Sequence, residues 1–219
     1  MVYGIIPSEE LKINERELQR RLGISSPSAG SDPLASSHVG GAGEVGGGGV
    51  VPLLEKCRKQ LLKAVECRFA WRRVRLTFPE EGVCLPGDIR IGSRDLCRNL
   101  QGCTEAVLMG VTLGLGADRL LLRLEKTAPA EHFITDAIAS AAVESLCDRV
   151  DREIREELEK EGTAGFRPRY SPGYGDCSIE VQRPLLEQLG AGSTLGITLN
   201  EACFMTPVKS ITAIMGIKK

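Results

Sequence analysis

Residues 106–160, AVLMGVTLGLGADRLLLRLEKTAPAEHFITDAIASAAVESLCDRVDREIREELEK, decide the fold. The first eight are an unbroken apolar run of strand length, the pattern of a strand buried on both faces. Gly114-Leu115-Gly116 ends it, and Asp118 opens a helix that runs through Leu124. A G-x-G after a strand can serve a nucleotide, but any tight strand-to-helix turn also needs small residues, and the plain turn is the stronger reading. From Pro129 to Lys160, Ile134, Ile138, Ala142, Leu146, Val150, Ile154 and Leu158 recur every four residues, a slowly winding apolar stripe on one long helix. About thirty residues at 1.5 Å rise would span about 45 Å. The small side chains around 137–145 let another backbone approach closely. Asp136, Ser140, Glu144 and Asp148 lie away from the stripe at the same spacing, and that line reads as a solvated face.

Upstream, Asn14 and Glu17 have the spacing of a capping box, and the helix ERELQRRL stops at Gly23. From Ser25 to Val50 the chain is Ser, Gly, Pro and Ala with almost nothing to bury, including Gly46 to Gly49, so a flexible linker is expected over 25–51. That glycine run lacks the preceding strand a phosphate cradle requires. Pro52 suits a first helical turn, and PLLEKCRKQLLKAVECR has helical periodicity. WRRVRLTF, 71–78, alternates like a strand until Pro79; Ser93 caps a helix reaching Leu100. Downstream, GFRPRYSPGYGD is a shaped loop in which Pro172-Gly173 suits a type II turn. Short helices from Asp176 and Pro184 to Leu189, a strand over 195–199 and a last strand over 211–217 complete the reading. Helices and strands mix without βαβ alternation, so the class is α+β, with an N-terminal helical segment (1–24), the linker (25–51) and one main domain (52–219).

The formal net charge is −1, with 42% hydrophobic and 26% charged residues. No charge excess argues for a nucleic-acid or membrane-surface partner, and no apolar run approaches the roughly 20 residues of a membrane span. The expectation is a soluble, cytoplasmic protein. The eight cysteines include no C-x-x-C pair and there are two histidines, His38 and His132, so neither a metal site nor a disulfide framework is expected.

Chemistry concentrates in Arg169-Tyr170-Ser171-Pro172-Gly173-Tyr174. A guanidinium beside two aromatics on a rigid turn can hold a carboxylate and stack a ring. Carboxylates such as Glu144 and Glu161, if they approach the turn, would steady a cationic centre. One ligand with a carboxylate, an aromatic base and a fixed positive charge is S-adenosylmethionine.

The order of motifs INERELQRRLG, LQGCTEAVLMGVTLGLGADR, AVESLCDRV, GFRPRYSPGYGD and ITLNEACFMTPVKSITAI resembles the activation (reactivation) domain of cobalamin-dependent methionine synthase, above all its stand-alone form. The resemblance spans nearly everything but the linker. It implies a largely antiparallel twisted sheet with flanking helices. It also implies a groove that binds S-adenosylmethionine and presents its methyl group to cobalamin held by a partner, a methionine synthase lacking this domain. A flavodoxin- or ferredoxin-type donor would supply the electron that restores cobalt(I). By position, Arg169, Gly173 and Tyr174 match the family's R-x-x-x-G-Y element, with Tyr170 and Pro172 beside them. Glu144 matches a glutamate expected near the sulfonium, and Glu161 is a candidate second. The loop is two residues longer than the compact family form, so Arg167 and Arg169 compete for the carboxylate. Where the fused enzyme has an aromatic pair near the adenine, this chain has Ala213-Ile214-Met215. That change motivates an alternative, a docking or sensing module without methyl-transfer competence. A small-molecule enzyme using the Gly114 turn for a nucleotide is a third reading.

Overall fold

The computed structural model describes residues 1–23, 50–80 and 82–218. The expected linker lies almost wholly outside the described residues. A five-stranded antiparallel sheet carries the fold, in the order β1 (Val2–Ile6), β2 (Cys67–Arg75), β5 (Cys103–Thr112), β9 (Ser210–Lys218), β6 (Gly165–Phe166). One face is covered by α1 (Glu15–Leu22), α2 (Val50–Ala64), α4 (Leu115–Thr127) and α5 (Pro129–Lys160). The other is covered by the hairpin β3–β4 (Val83–Leu85, Ile89–Ile91), α3 (Arg94–Asn99), α6 (Gln182–Gln188) and α7 (Ala191–Thr194).

β5 is apolar from Ala106 to Val111 because both its faces are buried there. In β5, Val107, Met109 and Val111 join the α5 side, while Ala106 and Leu108 join the α6 side. The α5 stripe behaves as its periodicity requires: Ile138, Ala142, Leu146, Val150, Ile154 and Leu158 are all buried. Asn14 accepts from the N–H groups of Arg16 and Glu17, and Gly23 closes α1 in the left-handed region at φ 68°. Ser93 caps α3 through the Leu96 N–H.

Four readings need correction. Residues 2–6 are not part of a helical segment; they form an edge strand of the main sheet, paired with 67–71. The second helix begins at Val50, ahead of Pro52, and ends at Ala64. The chain turns there, Glu66 N–H bonding to Leu113 O, so Cys67 and Arg68 start β2 and pairing with β1 and β5 carries it to Arg75. In place of a strand from 195, α7 precedes a two-residue strand, β7 (Thr198–Leu199), paired with β8 (Met205–Thr206). The Gly114–Gly116 pair is a packing device: a Cβ on Gly116 would lie 1.8 Å from Ala64 O, so only glycine lets α4 start against the end of α2.

Among the described residues no helix is long and apolar enough to cross a membrane, and no cluster of His, Cys, Asp and Glu is placed to hold a metal ion. All eight cysteines are free thiols.

Candidate functional site: a groove at the edge of the sheet

β6 is only two residues long and pairs only with Ile217 and Lys218. Beyond it, Tyr170 continues the edge by exchanging both main-chain hydrogen bonds with Ile214, at 2.9 and 2.8 Å. The chain then turns away. Pro172 and Gly173 occupy the centre of a type II turn, with Gly173 at φ 88° and Tyr174 N–H bonded to Ser171 O. This departure leaves a groove of about 480 Å³ against β9, lined chiefly by Glu144 and Cys147 of α5, Arg169, Tyr170 and Tyr174 of the loop, Gln182 of α6, and Ser210–Ala213.

Arg169 spans the loop and α5. Its Nη1 donates to Cys147 Sγ at 2.7 Å, its Nη2 to Asp148 Oδ1 at 2.6 Å, and Asp151 lies 3.6 Å from Nε. Burial, the largest single influence, works against its charge. The Cys147 sulfur, Asp148 and Asp151 outweigh it, and the guanidinium is held above its ordinary pKa. Burial pushes the Cys147 thiol up to about 12, so it stays protonated and serves as an inert wall. One proton on each Nη remains for a ligand. Tyr170 OH donates to Tyr174 O at 2.8 Å, tying the two ends of the turn together, while the Tyr174 ring stands 70% exposed at the rim.

The structure therefore brings Glu144, Arg169, Tyr170, Pro172 and Tyr174 to one groove, with Gly173 in the turn between the last two. It sends the other two candidates elsewhere. Arg167 donates to Gln101 O, runs beside Gly216 and does not line the groove, whereas Arg169 does. Glu161, just past the end of α5, is paired with Arg73 at 3.3 Å, far along the helix from Glu144. The line expected to be a solvated face is solvated at Glu144 and Asp148, which are exposed, and it is an anchoring face as well. Asp136 and Ser140 hold Lys209 Nζ, each at 2.8 Å, Glu144 faces the groove, and Asp148 takes Arg169. Residue spacing reveals that these four share a line, but only the tertiary fold shows which cations it holds.

Sequence reasoning missed Cys147, Gln182, Met205 and Thr212. Gln182 is 5% exposed, and its Oε1 accepts from Thr212 Oγ1 across 30 residues of chain. Thr212 lies inside the quoted ITLNEACFMTPVKSITAI stretch, but Gln182 stands in none of the quoted motifs. Of the altered Ala213-Ile214-Met215 stretch, only Ala213 lines the groove; Ile214 and Met215 point into the cores on opposite faces of the sheet.

No known family description matches the chain, and no curated protein matches it. Among solved structures, a crystal structure of the MetH reactivation domain bound to AdoHcy matches with a TM-score of 0.67 and 18% identity, over 98% of this chain and 77% of that one. The likeness expected from the motifs is thus shown at the level of architecture: the chain has the α+β, antiparallel-sheet fold of the MetH reactivation domain.

Proposed function

We propose that the groove binds S-adenosylmethionine and that the chain supports reductive methylation of cobalamin held by a partner protein, a methionine synthase or related corrinoid protein. The observation that carries this reading is the convergence of Arg169, Glu144, Tyr170 and Tyr174 on one groove, in a fold whose solved counterpart is bound to AdoHcy. Arg169 offers two free N–H groups to the ligand carboxylate. Glu144 supplies a negative charge for the sulfonium, and the Pro172–Gly173 turn brings main chain close to the ligand. Partner-held cobalamin is the substrate: a flavodoxin- or ferredoxin-type donor gives cobalt(II) one electron, the S–CH3 bond breaks and a Co–CH3 bond forms. S-adenosylhomocysteine leaves. The chain's contribution is orientation of the sulfonium carbon. Isothermal titration with S-adenosylmethionine should give saturable heat below millimolar ligand, and its absence would rule the reading out.

The alternative, a docking or sensing module, draws on Ala213 in place of a larger side chain at the groove. The two separate on one assay. Methylcobalamin formed from S-adenosylmethionine, reductant and corrinoid protein selects the first. Tight association with the corrinoid protein but no methylcobalamin selects the second.

A further inference from the structure

The groove has two chemically different walls. On the α5 side stand Glu144 and Arg169, both charged. The opposite wall is neutral, and part of it is main chain. In an antiparallel ladder alternate residues turn both peptide groups to the same side. Ile214 and Gly216 turn theirs outward, to Tyr170 and Arg167. Thr212, two residues earlier, turns its N–H and C=O the same way, at a stretch of edge that no described strand covers. Beside it lies the Gln182 carboxamide. Its Oε1 is oriented by Thr212 Oγ1, and its Nε2 has no protein partner among the described residues although the side chain is nearly buried. That nitrogen is not sealed off by the protein, so it is open to the groove and can donate to a ligand there.

We propose that this wall, the Gln182 carboxamide and the outward main chain of Thr212, is the base subsite of the groove and selects adenine. The proposal rests on the reading that the groove takes an S-adenosyl ligand. Adenine presents a ring-nitrogen acceptor beside an exocyclic amino donor, on either edge. A carboxamide or a peptide edge offers the matching donor–acceptor pair, the geometry by which glutamine reads adenine elsewhere. Hypoxanthine reverses the pattern on its N1 edge, with a carbonyl acceptor beside an N–H donor. Ile211, Ala213 and Met205 add apolar surface for the ring. The charged wall is left for the amino-acid end.

The test is calorimetric titration of the full chain with S-adenosylhomocysteine and with S-inosylhomocysteine. Wild type should prefer the adenosyl compound by about tenfold or more, because a subsite built to hydrogen-bond one edge rejects its reverse. Gln182→Leu should weaken S-adenosylhomocysteine by about tenfold and bring the two ligands within about threefold of each other. Gln182→Glu, which keeps the acceptor for Thr212 and removes both donors, should do the same and covers the case in which the leucine variant fails to fold. Arg169→Ala should weaken both ligands alike and preserve their ratio. Wild-type binding with both Gln182 variants unchanged in affinity and ratio overturns the subsite alone. No wild-type binding of S-adenosylhomocysteine overturns the proposed function and the subsite with it.

Discussion

Arg169 sits where two demands meet: it fastens the loop to α5 through Asp148, and it still has protons to offer the groove. Arg169→Ala should therefore cost about 1.5–3 kcal/mol in S-adenosylmethionine binding, the usual worth of a charge-assisted hydrogen bond, read by isothermal titration. Arg167→Ala should leave that affinity unchanged, since its guanidinium serves Gln101 on the far side of the loop. A second residue-scale expectation concerns thiols. Burial pushes Cys147 up to about 12 and Cys67 up to about 11, so at pH 8 both should resist iodoacetamide in the folded chain and react on denaturation, as peptide mass mapping would show. Arg169, Tyr170 and Tyr174 were legible in sequence because a Pro–Gly turn among Arg and Tyr is unusual locally. Gln182 and Thr212 were not, because their pairing exists only after α6 docks on β9.

At the scale of elements, long periodic segments read well and short ones did not. α5 was legible from end to end since 32 residues give many turns for a stripe to repeat. β1 was not, because VYGII is five residues and, of these, only Ile6 is buried. The hairpin β3–β4 has three-residue strands whose Pro86-Gly87-Asp88 turn went unread. The end of α2 was misjudged for a physical reason: nothing in KAVECR opposes another helical turn locally, and the main-chain bond from Glu66 to Leu113 stops it. Leu146 is fully buried on α5 among the sheet-facing core, so Leu146→Ala should lower stability by about 2–5 kcal/mol, measured by urea unfolding. Gly116→Ala should destabilise by forcing α4 away from Ala64, with a lowered melting temperature as the readout.

Across the whole molecule, the groove loop is gripped by a unit on the other face of the sheet. Asp176 accepts from Ser93 Oγ at 2.5 Å and from the N–H groups of Arg94 and Asp95 at 2.8 and 3.2 Å, while Asn99 Nδ2 donates to Pro168 O. The Ser93 hydroxyl, first among these, holds the Asp176 carboxyl below its ordinary value of 3.8. A lowered folded pKa means the clamp is in full force above the ordinary value and is lost as pH falls through the lowered one. Amide exchange over 171–177 should therefore stay slow at neutral pH and accelerate on acidification, and Asp176→Asn should abolish that pH dependence. Ser93→Ala, which removes both the α3 cap and a hydroxyl from Asp176, should cost about 0.5–2 kcal/mol by thermal melting. None of these long-range ties was visible in sequence, since each joins residues 69 to 83 positions apart.

The stretch of β9 that no described strand covers has one more consequence. A strand edge keeps its main-chain polar groups through any exchange of side chains, since every residue but proline brings the same amide and carbonyl. Two chains can thus differ at four positions in five and still present the same main-chain pattern along such an edge.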